Sequence, residues 1–122
     1  MCKLSVLVIE DNLINLDLFC LLLDRLEYEV YQARDGLEGL RLARQEKPDL
    51  ILMDLALPAM DGWTLAGELK SDILTQAIPI IAITANSMPE DRERAFAAGC
   101  EGFIVKPFHI SNFNAEIERV MG

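Results

Sequence analysis

Leu50-Ile51-Leu52-Met53-Asp54 is the stretch that decides the fold. Apolar residues follow one another without polar alternation, and the run stops at a carboxylate. A strand with one wet face alternates apolar and polar side chains. An unbroken apolar run of strand length fits a strand covered on both faces, as in a parallel sheet between helical layers. Leu4–Ile9 and Ile78–Thr84 have the same near-continuous character, and Glu29–Ala33 and Gly102–Val105 complete a set of strand-length runs.

Segments with helical spacing lie between and after these runs. Ile14–Leu26 carries Leu18, Leu22 and Leu26 at four-residue steps, and that stripe is expected to face the core. Leu37–Gln45 carries Leu37, Leu40 and Ala43 at three-residue steps, and Leu65–Lys70, Pro89–Ala98 and Ile110–Met121 follow. The punctuation agrees. Asp11 or Asn12 can cap the first helix. Pro48-Asp49 separates the second helix from the third strand, and Pro58 with Asp61-Gly62 makes a turn-rich loop after it. Pro89 suits a first helical turn and Gly99 a helix exit. Strand and helix alternate throughout, so right-handed crossovers predict a doubly wound α/β fold, with five parallel strands and five helices. The 122 residues are expected to form a single domain over 1–122.

Composition narrows the function. Apolar residues make up 52% and charged residues 25%, and 20 acidic against 11 basic side chains give a net charge of −9. That surplus disfavours nucleic acid and anionic membrane as direct partners. Cys2, Cys20 and Cys100 are widely spaced and His109 is the only histidine, so a zinc site is not expected. The apolar run after Lys3 is too short for a signal peptide or a membrane span. Reduced thiols in a cytoplasmic protein are the expectation.

In an open parallel sheet, ligands bind beyond the carboxyl ends of the strands. The first strand ends in Glu10-Asp11, the third in Asp54, the fourth in Thr84-Ala85 and the fifth in Lys106-Pro107. The second ends at Ala33-Arg34 and offers nothing comparable. Any one of these residues is ordinarily a solvated loop charge or a strand former. Together they place three carboxylates, a hydroxyl and an ammonium on one rim. Clustered carboxylates repel and raise one another's pKa unless a cation sits among them. Hard oxygen ligands with positions left for water select Mg²⁺, with Mn²⁺ as the alternative. Asp54, nearest the sheet centre, can act as a nucleophile toward phosphorus and form an aspartyl phosphate. The transferred group needs its oxygens neutralised, and Lys106 and Thr84 are placed to contact them.

These pieces resemble the receiver domains of two-component response regulators. The likeness rests on Val8-Ile9-Glu10-Asp11-Asn12, Ile51-Leu52-Met53-Asp54-Leu55 with Pro58 and Met60-Asp61-Gly62, Ile83-Thr84-Ala85 and Val105-Lys106-Pro107-Phe108. It spans essentially the whole chain. The resemblance implies that Asp54 is the phosphoacceptor and that Asp11 and Asp54 are direct Mg²⁺ ligands. Glu10 would act largely through water, and the Ala56 carbonyl would be a backbone ligand. It implies that Thr84 and Lys106 contact the phosphoryl group, that Phe103 is the switch aromatic, and that Lys106–Pro107 is a cis peptide. Phosphorylation would draw Thr84 inward and let Phe103 turn into the space it leaves. The implied donor is a phosphohistidine on a sensor histidine kinase or a histidine phosphotransfer protein. The implied output is a downstream protein target, with no nucleic acid or membrane contacted directly.

In the family the sequence resembles, two variable positions flank the phosphoryl group and tune its hydrolysis. Ala56 follows Asp54 by two residues and cannot orient a water, whereas Asn86, two residues after Thr84, could do so or could equally serve as a turn residue or helix cap. On the first helix, Leu13, Leu16 and Cys20 form a second stripe, and Leu13 with Leu16 is expected to help form a docking patch for a partner helix. Trp63 receives no role. A phosphatase using an aspartyl intermediate would want an acid at position 56. A flavodoxin-like carrier would want a Gly/Ser/Thr-rich loop where Glu10-Asp11-Asn12 stands. The remaining alternative is a receiver that binds partners without being phosphorylated. The chemistry is expected to act on the domain itself, so the chain is not read as an enzyme. Met1 directly before the first strand, and no output domain after the last helix, suggest a stand-alone receiver.

Overall fold

The computed structural model describes residues 3–57, 61–85 and 88–122, so Cys2, Pro58, Met60 and Asn86 lie outside it. Its elements run β1 (Ser5–Ile9), α1 (Leu13–Arg25), β2 (Glu29–Ala33), α2 (Gly36–Glu46), β3 (Leu50–Asp54), α3 (Gly62–Ser71), β4 (Ile80–Thr84), α4 (Pro89–Ala97), β5 (Gly102–Val105) and α5 (Ile110–Met121). The strands form one parallel sheet in the order β2-β1-β3-β4-β5. β3 is central and buried at every residue, which is why its sequence shows no alternation.

Each face of the sheet owns a separate core. Leu7, Ile9, Ile51, Met53, Ile80 and Ala82 pack with residues of α2, α3 and α4. Val6, Val8, Leu50, Leu52, Ile81 and Ile83 pack with α1 and α5. On the second face Phe19, Phe108 and Phe113 stack with ring centroids 5.4–6.0 Å apart, tying α1 to α5 and to the turn after β5.

The first helix turns a different face inward from the one expected. Its buried residues are Leu16, Phe19, Leu22 and Leu23, whereas Leu18 is 41% and Leu26 36% exposed. Four-residue steps advance about 40° past a full turn each time, so Leu18, Leu22 and Leu26 wander around the helix. Alternating steps of three and four hold one face, and that series is the buried one. α3 begins three residues before the predicted Leu65 because Asp61 caps it, accepting from the Thr64 N–H at 2.8 Å. Gly99 leaves α4 at φ 103°, a left-handed exit that favours glycine.

Candidate functional site

Parallel strands bring all their carboxyl ends to one rim, and local bonds fix what stands there. The Glu10 N–H donates to the Ala33 carbonyl at 3.0 Å, extending the pairing one residue past β1 and burying the Glu10 side chain completely. Asn12 caps α1, its Oδ1 accepting from the Asn15 N–H at 3.1 Å. With Asn12 as the cap, Asp11 has no such duty. Asp54 closes β3, and its Oδ1 accepts from the Ala56 N–H at 2.9 Å. Lys106 leaves β5 with its N–H on the Thr84 carbonyl at 2.7 Å. Its Nζ then reaches both buried acids, at 2.9 Å from Glu10 Oε1 and 3.1 Å from Asp54 Oδ2. The Lys106–Pro107 peptide is cis.

One ligand oxygen from each of Glu10, Asp11 and Asp54 lies within 4.8 Å of the others. Three carboxylates against one ammonium leave the cluster two charges short of neutrality. Burial and the neighbouring groups together set the proton affinity of Glu10, Asp54 and Lys106. Burial first, then the hydrogen bond with Asp54, pushes the Glu10 carboxyl from 4.5 up to about 7, against the pull of Lys106. Burial also works to raise Asp54, but its hydrogen bonds with Glu10 and the Ala56 N–H and the charge of Lys106 outweigh it and hold it below the usual carboxylate range. Lys106 loses by burial and gains more from Glu10 and Asp54, so its ammonium is held above its ordinary value. Of the two buried acids, Glu10 is therefore the one that holds a proton more readily.

Ionised Glu10 leaves a buried oxygen, Oε2, with no hydrogen-bond partner among the described residues. A proton shared with Asp54 or a cation at the rim would satisfy it. The donor set is all hard oxygen, its charge deficit is two, and one acid is exposed to solvent while the others are buried. These features fit a divalent, oxygen-seeking ion of the Mg²⁺ class.

The other expected residues take up varied positions. Thr84 ends β4, partly buried, opposite Val105 in register. Ala56 is exposed beside Asp54. Phe103 is already buried at 9% exposure, packed in the first core, with the small Ala82 as its register partner. Leu16 is 2% exposed and belongs to the core, which removes it from any docking patch; Leu13 and Ile14 are the exposed neighbours. Their spacing from Leu16 did not show which stripe faced the sheet. Trp63 packs on the first core, and the Arg94 guanidinium lies 4.6 Å from its ring centroid.

Two site residues escaped sequence reasoning. Arg34, at the end of β2, reaches the Asp11 carbonyl at 3.4 Å, so the second strand does contribute to the rim. Gly62 donates its N–H to the Leu55 carbonyl at 3.0 Å, and a Cβ there would sit 2.6 Å from Leu55 Cα. The turn is thus pressed against the backbone carrying Asp54. The Asp61-Gly62 pair marked a turn but not this close approach.

Comparison with known proteins follows the geometry. Residues 6–118 match the model of the response regulator receiver domain. The polar-differentiation response regulator DivK of Brucella anthropi is 43% identical over 118 residues, 97% of this chain and 96% of that protein. The chemotaxis response regulator CheY4 of Vibrio cholerae superposes with a TM-score of 0.92 at 28% identity, covering 98% of this chain and 99% of that one. The receiver domain of sensor histidine kinase PA1611 from Pseudomonas aeruginosa, solved with a magnesium ion coordinated in its active site cleft, superposes with a TM-score of 0.90 at 33% identity over 99% of both chains. Two cores on a 2-1-3-4-5 parallel sheet, an acidic rim and a lysine bridging two of its acids therefore belong together: the chain is a member of the response regulator receiver domain family, the receivers of two-component systems.

Proposed function

We propose that this receiver accepts a phosphoryl group on Asp54 from a phosphohistidine of a sensor histidine kinase or histidine phosphotransfer protein. The observation that carries the reading is the Lys106 bridge to Glu10 and Asp54 within the three-acid cluster. An Asp54 carboxylate oxygen attacks phosphorus, the O–P bond forms, and the imidazole nitrogen leaves with the electrons of the N–P bond. Asp54 is suited to this because its carboxyl is held below the usual range and is therefore ionised. Lys106 meets the phosphoryl oxygens as they arrive, and the Thr84 hydroxyl contacts the same group. Asp11 and Asp54, the Ala56 carbonyl, and Glu10 through water would hold Mg²⁺, or Mn²⁺ in its place. The ion would neutralise charge on the transferred group. Ala56 brings no polar side chain to orient a water, so hydrolysis of the acyl phosphate draws no help from that side.

Charge added beside Thr84 then shifts the populations of the surface formed by α4, β5 and α5, with Phe103 as the packed intermediary, and a downstream protein reads the change. Donor docking falls to the exposed start of α1. Leu13, Ile14 and Leu18 stand out there, and a groove of about 330 Å³ lined by Asn15, Leu18, Ala85 and Lys106 runs beside them. Among the described residues no helix is long and apolar enough to cross a membrane.

The test is incubation with Mg²⁺ and a small acyl phosphate, followed by intact mass. Wild type should gain one phosphoryl group and Asp54→Asn none. Absence of gain in wild type, with a cognate kinase supplied, would favour a receiver that works by binding alone. Leu13→Ser with Ile14→Ser should slow transfer from a protein donor at least fivefold while leaving the small-donor reaction unchanged.

A further inference from the structure

The edge of the sheet at β5 is closed by side chains of α5. An edge strand presents backbone N–H and C=O groups that would otherwise pair with a further strand. Here α5 supplies the partners from two side chains one turn apart. Glu116 Oε2 accepts from the Phe103 N–H at 2.8 Å. The Arg119 guanidinium donates to the Glu101 carbonyl at 2.9 Å. The two side chains also lock to each other, Arg119 Nε to Glu116 Oε1 at 2.8 Å and a second guanidinium nitrogen to Oε2 at 2.9 Å. One donor and one acceptor thus occupy the places a neighbouring strand would fill. Gly102, between the two backbone groups, makes the approach feasible: a Cβ there would lie 3.0 Å from Glu116 Oε2 and 2.8 Å from an Ile81 side-chain carbon. The bonded N–H belongs to Phe103, whose side chain is buried on the core shared with α4.

We infer that Glu116, held by Arg119, is a positioning residue for the acceptor site. It fixes the backbone of Phe103 to α5, so that α5 and the rim at Asp54 are energetically coupled. The inference rests on the phosphoacceptor reading above and adds to it a named link from the outer helix. The path is short and bonded throughout. Glu116 holds the Phe103 N–H, and three residues on, just past the end of β5, Lys106 holds Glu10 and Asp54. The fork also borders a groove of about 450 Å³ lined by Phe103, Val105, Phe108 and Asn112.

The experiment measures amide hydrogen exchange at Phe103 and the rate of phosphoryl gain from a small acyl phosphate, for wild type, Glu116→Ala, Glu116→Gln and Arg119→Ala. Glu116→Ala should speed Phe103 exchange at least tenfold and slow phosphoryl gain three- to tenfold, with Mg²⁺ affinity within twofold of wild type. Glu116→Gln keeps an acceptor for the N–H and should recover most of both losses, with Arg119→Ala falling between. Faster exchange in Glu116→Ala with phosphoryl gain equal to wild type would overturn the inference and leave a purely structural contact. Unchanged exchange would overturn it as well. A wild type that gains no phosphoryl group would remove the proposed function itself, and this inference with it.

Discussion

Two lysine–carboxylate centres stand at opposite ends of the sheet and differ in how completely they are closed. At the amino ends of β4 and β5, Lys70 donates from Nζ to Glu101 Oε1 at 2.8 Å, to the Ile78 carbonyl at 2.8 Å and to the Gln76 carbonyl at 3.3 Å. The second Glu101 oxygen accepts from the Ile80 N–H at 2.6 Å. One ammonium meets one carboxylate, and backbone groups take up the remaining bonding capacity. At the carboxyl ends, one ammonium meets a cluster of three carboxylates, and a buried oxygen of Glu10 is left over. The closed centre ties elements together. The open one gathers more negative charge than its lysine can balance. The same residue types serve packing at one end and chemistry at the other, and the charge that remains uncompensated separates the two.

The sharpest way to break this comparison is to remove each lysine. Lys106→Ala should reduce phosphoryl gain at Asp54 roughly a hundredfold, the scale of losing one preorganised donor to a transferring group. Lys70→Ala should leave phosphoryl gain of the folded protein within twofold of wild type. It should instead lower stability by about 1–3 kcal/mol, because the Glu101 carboxylate and two carbonyls lose a shared donor. Rates from intact mass and midpoints from urea melts decide the matter. If the two variants lost activity equally, the division between ends would collapse.

A smaller effect is expected at Gly62, where structure and site meet. A methyl group there would press on the Leu55 Cα and, at 3.0 Å, on the Asp54 carbonyl oxygen, and backbone atoms cannot swing aside as a flexible side chain would. Gly62→Ala should cost about 1–3 kcal/mol by overpacking. It should also slow phosphoryl gain several-fold by displacing Asp54. Gly67, with open space where a Cβ would stand, is the control: Gly67→Ala should do neither.

How far the sequence reaches is clear from these same residues. The strand ends were legible because burial on both faces writes continuous apolar runs, and a charge at the end of such a run has to lie at the rim. That logic located Glu10, Asp54 and Lys106 without any side-chain geometry. Periodicity alone did not say which stripe of α1 was buried, since Leu13, Ile14, Leu16, Leu18, Phe19, Leu21, Leu22 and Leu23 leave several apolar stripes to choose from. Burial of Leu16 and Phe19 depends on the stack with Phe108 and Phe113, which are about ninety positions away in sequence. Glu116 and Arg119 gave no signal because a Glu/Arg pair three residues apart reads as a helix-surface pair. Their target, the unpaired edge of β5, exists only once the strand order is known.

The finest distinction between the two ends is their response to pH and Mg²⁺. Glu10 binds its proton more tightly folded, up to about 7, than unfolded near 4.5. A raised folded value contributes stability that is complete below 4.5 and is lost as pH climbs through 7. Metal-free protein should therefore lose this contribution between pH 4.5 and 7, as Glu10 surrenders its proton among the other carboxylates. Addition of millimolar Mg²⁺ should raise the melting temperature more at pH 7.5 than at pH 5, because the ion competes with that proton for the same oxygens. Glu10→Gln should flatten the metal-free pH profile over this window and weaken the Mg²⁺ response. Lys70→Ala should lower the whole curve while keeping the Mg²⁺ response, since it leaves the three-acid cluster intact. Thermal melts across pH 5 to 8, with and without Mg²⁺, test all three. A metal-free profile that rises through this window would mean that the carboxylates at the rim are already compensated, and that the end described as open is as closed as the other.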